Sequence, residues 1–194
     1  MNLPTKITVS RLVLIPVFIA IFLIPFPYHQ LIATAVFVVA SLTDWLDGHI
    51  ARKYNMVTTL GKFLDPVADK VLVASALILA TTLEVGIGDK IAIVVCSVVI
   101  IARELIITCF RTIAATKNVI LAADKIGKAK TATQLTGLTF YLSFAEVGEL
   151  NATVGQVFFY IGFVCLMIAT ALTLISALNY IIRNRAVLKE DSEQ

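Results

Sequence analysis

Residues 31–52 read LIATAVFVVASLTDWLDGHIAR, an apolar run that ends in two aspartates and an arginine. The segment has the length of one membrane-spanning helix, which needs about 20 mostly apolar residues. Charged side chains inside such a helix are costly, and where they occur they face a cavity or a binding site. The segment therefore predicts a transmembrane helix with functional carboxylates at one end, namely Asp44 and Asp47.

The composition of the whole chain supports the same fold class. The chain has 194 residues, of which 59% are hydrophobic and 15% are charged, whereas soluble domains average roughly 25% charged residues. We predict an all-α integral membrane bundle that forms a single domain over residues 1–194. Its six transmembrane helices are expected at about residues 11–28, 31–52, 61–84, 90–116, 130–147 and 153–182.

Two segments between or before these spans are too polar to cross a bilayer. The first ten residues, MNLPTKITVS, contain Pro4 near their start and mix apolar with polar side chains. They are predicted to form a short interfacial helix on the membrane surface. Residues 117–128, KNVILAADKIGK, are the longest stretch between spans and are a second candidate for such a helix.

Basic residues cluster on alternate connections between the predicted spans. Lys90 is the only lysine or arginine in the opposite connections. Because basic residues of short loops stay on the cytoplasmic side, we expect a multi-pass protein of the cell membrane with both termini in the cytosol. Anionic membrane lipids would contact the basic side, and no nucleic-acid-binding module accompanies it. The clustered residues are Lys6, Arg11, Arg52, Lys53, Lys62, Lys117, Lys125, Lys128, Lys130, Arg183, Arg185 and Lys189.

Four aspartates are predicted to meet at one level of a helical hairpin. Asp44 and Asp47 are three residues apart, and Asp65 and Asp69 are four apart, so each pair shares one helix face. Asp44 and Asp69 are equally far from the turn, as are Asp47 and Asp65, which places each pair at a matched depth in antiparallel helices. At 1.5 Å per residue the deeper pair lies roughly 12 Å above the level of Arg52.

Such a cluster needs cationic partners, because ionised carboxylates repel one another in a low dielectric and lose their hydration. Arg52 supplies one positive charge, whereas oxygen ligands suit Mg²⁺ or Mn²⁺. We predict two such divalent ions, which would hold a pyrophosphate and stabilise an in-line displacement at phosphorus. Small residues of the hairpin would let a phosphate and its nucleoside lie against the helix backbone: Gly48, Ala51 and Gly61.

Single aspartates also have ordinary structural interpretations. Asp65 precedes Pro66 and could cap a helix that starts at the proline. Asp47 could pair with Arg52 or Lys53 across the turn. These roles explain individual residues, but they do not explain carboxylates at matched depths on two helices.

The hairpin also resembles a known signature. The spacing of Asp44, Asp47, Gly48, Ala51, Arg52, Gly61, Asp65 and Asp69 is similar to that of the CDP-alcohol phosphatidyltransferase family, and the resemblance covers essentially the whole chain. It implies a reaction in which an alcohol attacks the β-phosphate of a CDP-linked lipid and CMP leaves. Members of the family are commonly homodimers, so the resemblance implies a homodimer here.

The resemblance also implies roles for the signature residues. Asp44, Asp47, Asp65 and Asp69 would bind metal, and Asp69 would in addition take the proton from the attacking hydroxyl. The cytidine and phosphates of the lipid donor would lie against the rest of the signature, with two N-terminal residues near the mouth of the cavity. This second group comprises Asp47, Gly48, Ala51, Arg52, Gly61 and Thr8, and Arg11 is a further candidate near the mouth.

A second group of basic residues lies on the fourth predicted helix and at the start of the fifth. Arg103 lies near the middle of an apolar helix, Arg111 follows two turns later, and Lys128 and Lys130 lie at the cytosolic mouth. An arginine at such depth is costly unless it faces the interior of the bundle. We therefore predict that these four residues bind a phosphate on the acceptor alcohol. Ordinary cytoplasmic flanking charge is the alternative interpretation.

If the acceptor alcohol carries a phosphate, the candidate acceptors are glycerol 3-phosphate and an inositol phosphate. The segments NLPTKITVSR and RELIITCFRTIAA, together with GKAKT, are similar to family members that use glycerol 3-phosphate. The predicted reaction converts CDP-diacylglycerol and glycerol 3-phosphate into phosphatidylglycerophosphate and CMP. Inositol phosphate or another alcohol is the alternative acceptor.

Two other classes of protein also contain charged residues in membranes. A cation or proton transporter would continue its polar residues through the far half of the bilayer, but that half of the second and third helices reads IATAVFVVA and VLVASALILA. A membrane scaffold has no need for converging carboxylates. The pattern therefore favours an enzyme whose site opens to one side.

Overall fold

The computed structural model describes the backbone of residues 3–53, 59–116 and 125–183, and the side chains of residues 9–43, 67–112, 114 and 127–182. Within these ranges the chain forms six helices and no strand, so the predicted all-α fold is confirmed. Each predicted span coincides with most of one helix. The helices are α1 (Leu3–Leu23), α2 (His29–Lys53), α3 (Thr59–Ala80), α4 (Ile87–Thr116), α5 (Lys125–Leu150) and α6 (Ala152–Arg183).

Within the described residues, two of the six helices have the apolar length of a membrane span, so the six predicted spans are borne out as helices and two of them as candidate spans. The stretches Ile87–Thr112 of α4 and Ala152–Ile182 of α6 are long and apolar enough to cross a membrane. Shorter apolar stretches occupy Val9–Leu23 and His29–Thr43. Large apolar side chains on the outer surface, such as Val98 at 62% exposure, suit contact with lipid rather than water. These features indicate a membrane protein.

The N-terminal segment differs from its prediction. α1 begins at Leu3 and continues to Leu23 without interruption, so residues 3–10 form its first turns, and the prediction of a separate interfacial helix is wrong. The physical reason is that Pro4 lies in the first turn, where its missing N–H leaves no bond unmade. Of the second candidate segment, residues 117–124 lie outside the described part of the chain.

A buried carboxylate on α5 accepts hydrogen bonds from the start of α2, next to the connection between α1 and α2. Glu146 of α5 is only 6% exposed. It accepts hydrogen bonds from the backbone N–H groups of Gln30 at 3.0 Å and Leu31 at 2.8 Å. The first N–H groups of a helix have no partner within the helix, and negative charge is favourable beside them. Glu146 therefore ties α5 to the start of α2, at the end of α2 opposite to its aspartates.

α5 and α6 form the most extensive helix contact in the described residues. Glycines bring the two backbones together: a Cβ atom on Gly162 would lie 2.6 Å from the backbone nitrogen of Tyr141. Around this pair, the core is filled by large side chains from all six helices. They include Phe18, Phe37, Leu72, Ile100, Tyr141 and Leu166.

Candidate functional site

A cleft opens between α3, α4 and α5, with a volume of about 540 Å³ that includes space continuous with the outside. Its walls are mostly apolar, and a small number of polar side chains face one another across it. This composition is usual for a site that binds a small molecule. The apolar residues include Val73, Leu77, Ile100, Ile101, Leu105 and Leu135, and the polar ones are Asp69, Lys70, Glu104, Lys130, Thr131 and Gln134.

Asp69 is the predicted base, and the structure places it in this cleft. α3 is one uninterrupted helix from Thr59 onward, so the four-residue intervals from Gly61 through Asp65 to Asp69 form a single stripe along it. The position at which α3 begins also excludes the structural interpretation of Asp65 as a helix cap. Since α3 begins well before Asp65, that aspartate does not cap a helix that starts at Pro66.

The other half of the signature lies on α2. This helix continues to Lys53, so Asp44 and Asp47 are helical and share one face. α2 contacts α3, and residues 54–58 separate the two helices in the sequence, which agrees with the hairpin that we predict. Asp69 belongs to the described side chains and the other three aspartates do not, so their meeting stays a prediction. The same holds for Thr8, Gly48, Ala51, Arg52 and Gly61.

Lys130 is held by an ionic network that crosses three helices. Its ammonium group is buried, with 4% of the residue exposed, and it donates to Oε1 of Glu104. The same oxygen accepts a hydrogen bond from Nη1 of Arg103 at 3.0 Å, and Nη2 of Arg103 donates to Oγ of Ser176 on α6 at 2.6 Å. A buried cation needs such a counter-charge. Glu104 thereby keeps Lys130 at the wall of the cleft.

The four basic residues predicted to bind the acceptor phosphate are not equivalent. Lys130 lines the cleft together with Asp69, and Arg103 is joined to Lys130 through Glu104. Arg111 lies against α6, where its Nε donates to the Tyr180 hydroxyl at 3.2 Å and its guanidinium lies 5.5 Å from the ring centre. Lys128 is exposed on α5 and is not among the cleft residues.

One N-terminal candidate can be placed as well. Arg11, predicted to lie near the mouth of the cavity, is completely buried in the bundle on α1. It is not among the residues that line the cleft between α3, α4 and α5.

Four polar residues of the cleft were not predicted from the sequence, namely Lys70, Glu104, Thr131 and Gln134. Two of them, Glu104 and Gln134, had a signal that could have found them. Glu104 directly follows Arg103. A charged side chain in an apolar helix usually pairs with an opposite charge, so Arg103 already indicated a role for the neighbouring glutamate. Gln134 is 2% exposed and follows Lys130 by four residues, which puts both on one face of α5. The signal for Gln134 was an amide within an apolar span, one turn beyond a predicted ligand.

The comparisons with known proteins agree with the signature. The sequence pattern of the CDP-alcohol phosphatidyltransferase family matches residues 1–175. The chain belongs to this family of membrane-lipid enzymes.

Individual relatives carry more specific names. The chain is 37% identical over 200 residues to the "CDP-diacylglycerol--glycerol-3-phosphate 3-phosphatidyltransferase" of Bacillus subtilis, with 97% of each chain covered. It is 36% identical over 182 residues to the protein of the same name from Salmonella typhimurium, with 93% of each covered. It is also 40% identical over 151 residues to a rice protein named "Cardiolipin synthase (CMP-forming)", covering 74% of this chain and 46% of the rice protein.

Proposed function

We propose that this protein transfers a phosphatidyl group from CDP-diacylglycerol to glycerol 3-phosphate, giving phosphatidylglycerophosphate and CMP. The observation that carries the proposal is the presence of Asp69 and Lys130 in one cleft. A carboxylate can take a proton from an attacking hydroxyl, and a nearby ammonium group can bind a phosphate on the same small alcohol. The names of the bacterial relatives support glycerol 3-phosphate as the acceptor.

Asp44, Asp47, Asp65 and Asp69 would hold the divalent metal, Mg²⁺ or Mn²⁺, as two ions. Two points support this metal site, the continuity of the two helices and the chemistry of the ligands. α2 and α3 run uninterrupted through all four positions, and carboxylate oxygens are the ligands that hard cations prefer. When bound, the ions would neutralise charge on the transferring phosphate group.

Different residues of the chain would take part in proton transfer, acceptor binding and donor binding. Asp69 would accept the proton while the hydroxyl oxygen forms its bond to the β-phosphorus of the lipid donor. The bond from this phosphorus to the oxygen of CMP breaks, and CMP leaves with the electron pair. Lys130 would hold the acceptor phosphate, with further positive charge from Arg103, Arg111 and Lys128. The lipid donor would contact Asp47, Gly48, Ala51, Arg52, Gly61 and Thr8.

The placement in the membrane is part of the same proposal. All six helices would cross the bilayer, with both termini and the cleft on the cytoplasmic side and membrane lipids around the bundle. The one-sided distribution of lysine and arginine supports this orientation. The chain would act as one domain over residues 1–194 and pair as a homodimer, as the family resemblance implies.

A direct assay tests the function. Purified protein is mixed with CDP-diacylglycerol, a divalent metal and labelled glycerol 3-phosphate, and the release of CMP is compared with the label recovered in lipid. We expect equal amounts of both products and loss of both after chelation of the metal. Turnover that survives complete chelation would contradict the proposed mechanism.

The acceptor is tested in the same assay by substitution. Inositol phosphate, serine and phosphatidylglycerol replace glycerol 3-phosphate one at a time, and kcat/KM is measured for each. We expect glycerol 3-phosphate to give the highest value. Lys130 provides a partner for a phosphate monoester, which serine and phosphatidylglycerol lack, and the names of the bacterial relatives favour glycerol 3-phosphate over inositol phosphate. A higher kcat/KM with another alcohol would replace glycerol 3-phosphate as the acceptor while leaving the class of reaction unchanged.

A further inference from the structure

Gln134 has an unusual environment for a glutamine. The residue is 2% exposed, and its amide oxygen is buried without a hydrogen-bond partner in the described part of the chain. Buried amides in folded proteins are nearly always hydrogen-bonded, because an unmatched polar group loses its hydration and gains nothing in return. An apolar side chain would suit this position better in an empty bundle. Among the residues with such buried, unpartnered amide oxygens, Gln134 is the one that lines the cleft, and this combination points to a bound molecule.

The position of Gln134 indicates which molecule could satisfy it. Gln134 lies one turn after Lys130 on the same face of α5, roughly 6 Å further along the helix, and both residues line the cleft with Asp69. A three-carbon alcohol phosphate has groups with this arrangement. With its phosphate at Lys130 and its reacting hydroxyl at Asp69, the remaining hydroxyl on the middle carbon would lie between them, where Gln134 also lines the cleft.

The other polar groups of the cleft are poor partners for that hydroxyl. Oε1 of Glu104 already accepts from Lys130 and Arg103. The hydroxyl of Thr131 donates to the backbone oxygen of Gly127 at 3.0 Å within its own helix. Lys70 offers a donor but no acceptor. The Thr131 oxygen can still accept, but that residue is exposed. The amide oxygen of Gln134 is the neutral acceptor that is buried without a partner among the described cleft residues.

We propose that the Gln134 amide accepts a hydrogen bond from the non-reacting hydroxyl of the acceptor and makes the site specific for a phosphorylated polyol. This inference rests on the proposed function, since it assigns one contact of that substrate. A site that hydrogen-bonds a substrate hydroxyl discriminates strongly against the analogue that lacks it, because the buried polar group is then left unpaired.

The test compares two acceptors in the CMP-release assay. One is glycerol 3-phosphate, and the other is 3-hydroxypropyl phosphate, which lacks the middle hydroxyl. The wild-type protein should prefer glycerol 3-phosphate by about 10- to 100-fold in kcat/KM. In Gln134→Met, which has similar length and no hydrogen-bonding group, this ratio should fall to within about threefold of unity, mostly through loss of activity on glycerol 3-phosphate.

Two further variants separate substrate recognition from effects on folding. Gln30→Met is the matched control, because the amide oxygen of Gln30 is also buried and unpartnered but lies at the connection between α1 and α2. It should keep the wild-type ratio. Gln134→Glu retains an acceptor oxygen and should preserve a preference for the polyol, which provides a second test if Gln134→Met does not fold.

Stability provides a readout independent of turnover. Without substrate, Gln134→Met should melt at or above the wild-type temperature, because an unpaired amide has been removed. Glycerol 3-phosphate should raise the melting temperature of the wild type more than that of the variant. An unchanged acceptor ratio in Gln134→Met, or an equal loss on both acceptors, would overturn the assignment of Gln134. Absence of CMP release by the wild type with any alcohol would overturn the proposed function and this inference together.

Discussion

Charged side chains inside apolar helices dominate the chemistry at the scale of single residues. Asp69 and Lys130 face one cleft whose walls are mostly hydrocarbon. Electrostatic interactions are stronger there than in water, because few solvent dipoles screen them. The proposed proton acceptor and the proposed phosphate partner thereby share one small space, which would allow a bound alcohol to be oriented before it reacts.

The first prediction concerns the proton acceptor. Asp69→Asn keeps the size of the side chain but removes its basicity and its charge, so CMP release should fall by about 10³-fold. Asp89→Asn is the matched control, because Asp89 lies in the first turn of α4 and is not a cleft residue. It should turn over at the wild-type rate. A rate above one tenth of wild type in Asp69→Asn would remove Asp69 from the role of base.

The second prediction concerns the counter-charge of Lys130. Glu104→Gln leaves Lys130 and Arg103 with less compensation and should lower the free energy of unfolding by about 1–3 kcal/mol. Lys130→Met should destabilise by a similar amount. Because the two residues are in direct contact, the double variant should be more stable than the sum of the single effects by about 1 kcal/mol. Unfolding in detergent micelles measures all three.

The exposed Glu149 near the end of α5 supplies the control for this cycle. Glu149→Gln removes the same charge outside the network and should change the free energy of unfolding by less than about 0.5 kcal/mol. Strictly additive effects of Glu104→Gln and Lys130→Met would show that their contact contributes nothing to stability.

At the scale of whole helices, close backbone contact between α5 and α6 holds one side of the bundle together. Gly162→Ala introduces a Cβ atom 2.6 Å from the backbone nitrogen of Tyr141, and this backbone atom cannot move aside as a side chain would. The variant should therefore lose about 1–3 kcal/mol of stability. Gly88→Ala is the control, because nothing lies within 4 Å of its added Cβ, and it should gain up to about 1 kcal/mol from helix propensity. Equal melting temperatures would contradict this account.

The number and order of helices followed from the lengths of the apolar runs, but helix ends did not. The third span was predicted to reach residue 84, whereas α3 ends at Ala80. There the N–H groups of Thr81 and Thr82 bond to the oxygens of Ile78 and Leu79 at 3.0 Å, three residues back rather than four, and the helix ends. Hydropathy does not register such local bonds.

Asp69 and Lys130 could be predicted from the sequence, because a charge within an apolar run is visible there. The pairing of Glu104 with Lys130 could not, since these residues are 26 positions apart on different helices. That contact depends on how α4 and α5 are rotated about their axes, and the periodicity of one helix does not determine the rotation of its neighbour. Gln134 differs, because it lies on the same helix as Lys130 and four residues later, so the periodicity of α5 alone places both on one face.

At the scale of the whole molecule, the charged residues of the cleft lie on one side of the bundle, and Glu146 lies on the other. Asp69 lies in the first half of α3, Glu104 in the second half of α4 and Lys130 near the start of α5. Successive helices joined by short connections alternate in direction, so these three positions fall on one side of the bundle. Glu146, near the opposite end of α5, marks the other side with its bonds to the start of α2.

The final prediction assigns these two sides to the two faces of the membrane. Cys96, Cys109 and Cys165 are free thiols and are first replaced by alanine. Glu149→Cys and Lys128→Cys then each introduce a single thiol at an exposed position near opposite ends of α5. Because the basic side should face the cytosol, a membrane-impermeant maleimide added to intact cells should label Glu149→Cys and spare Lys128→Cys. Inverted membrane vesicles should show the reverse pattern, and permeabilised cells should label both. Labelling of Lys128→Cys from outside intact cells would place the cleft on the outer face, where a cytosolic glycerol 3-phosphate pool could not reach Lys130.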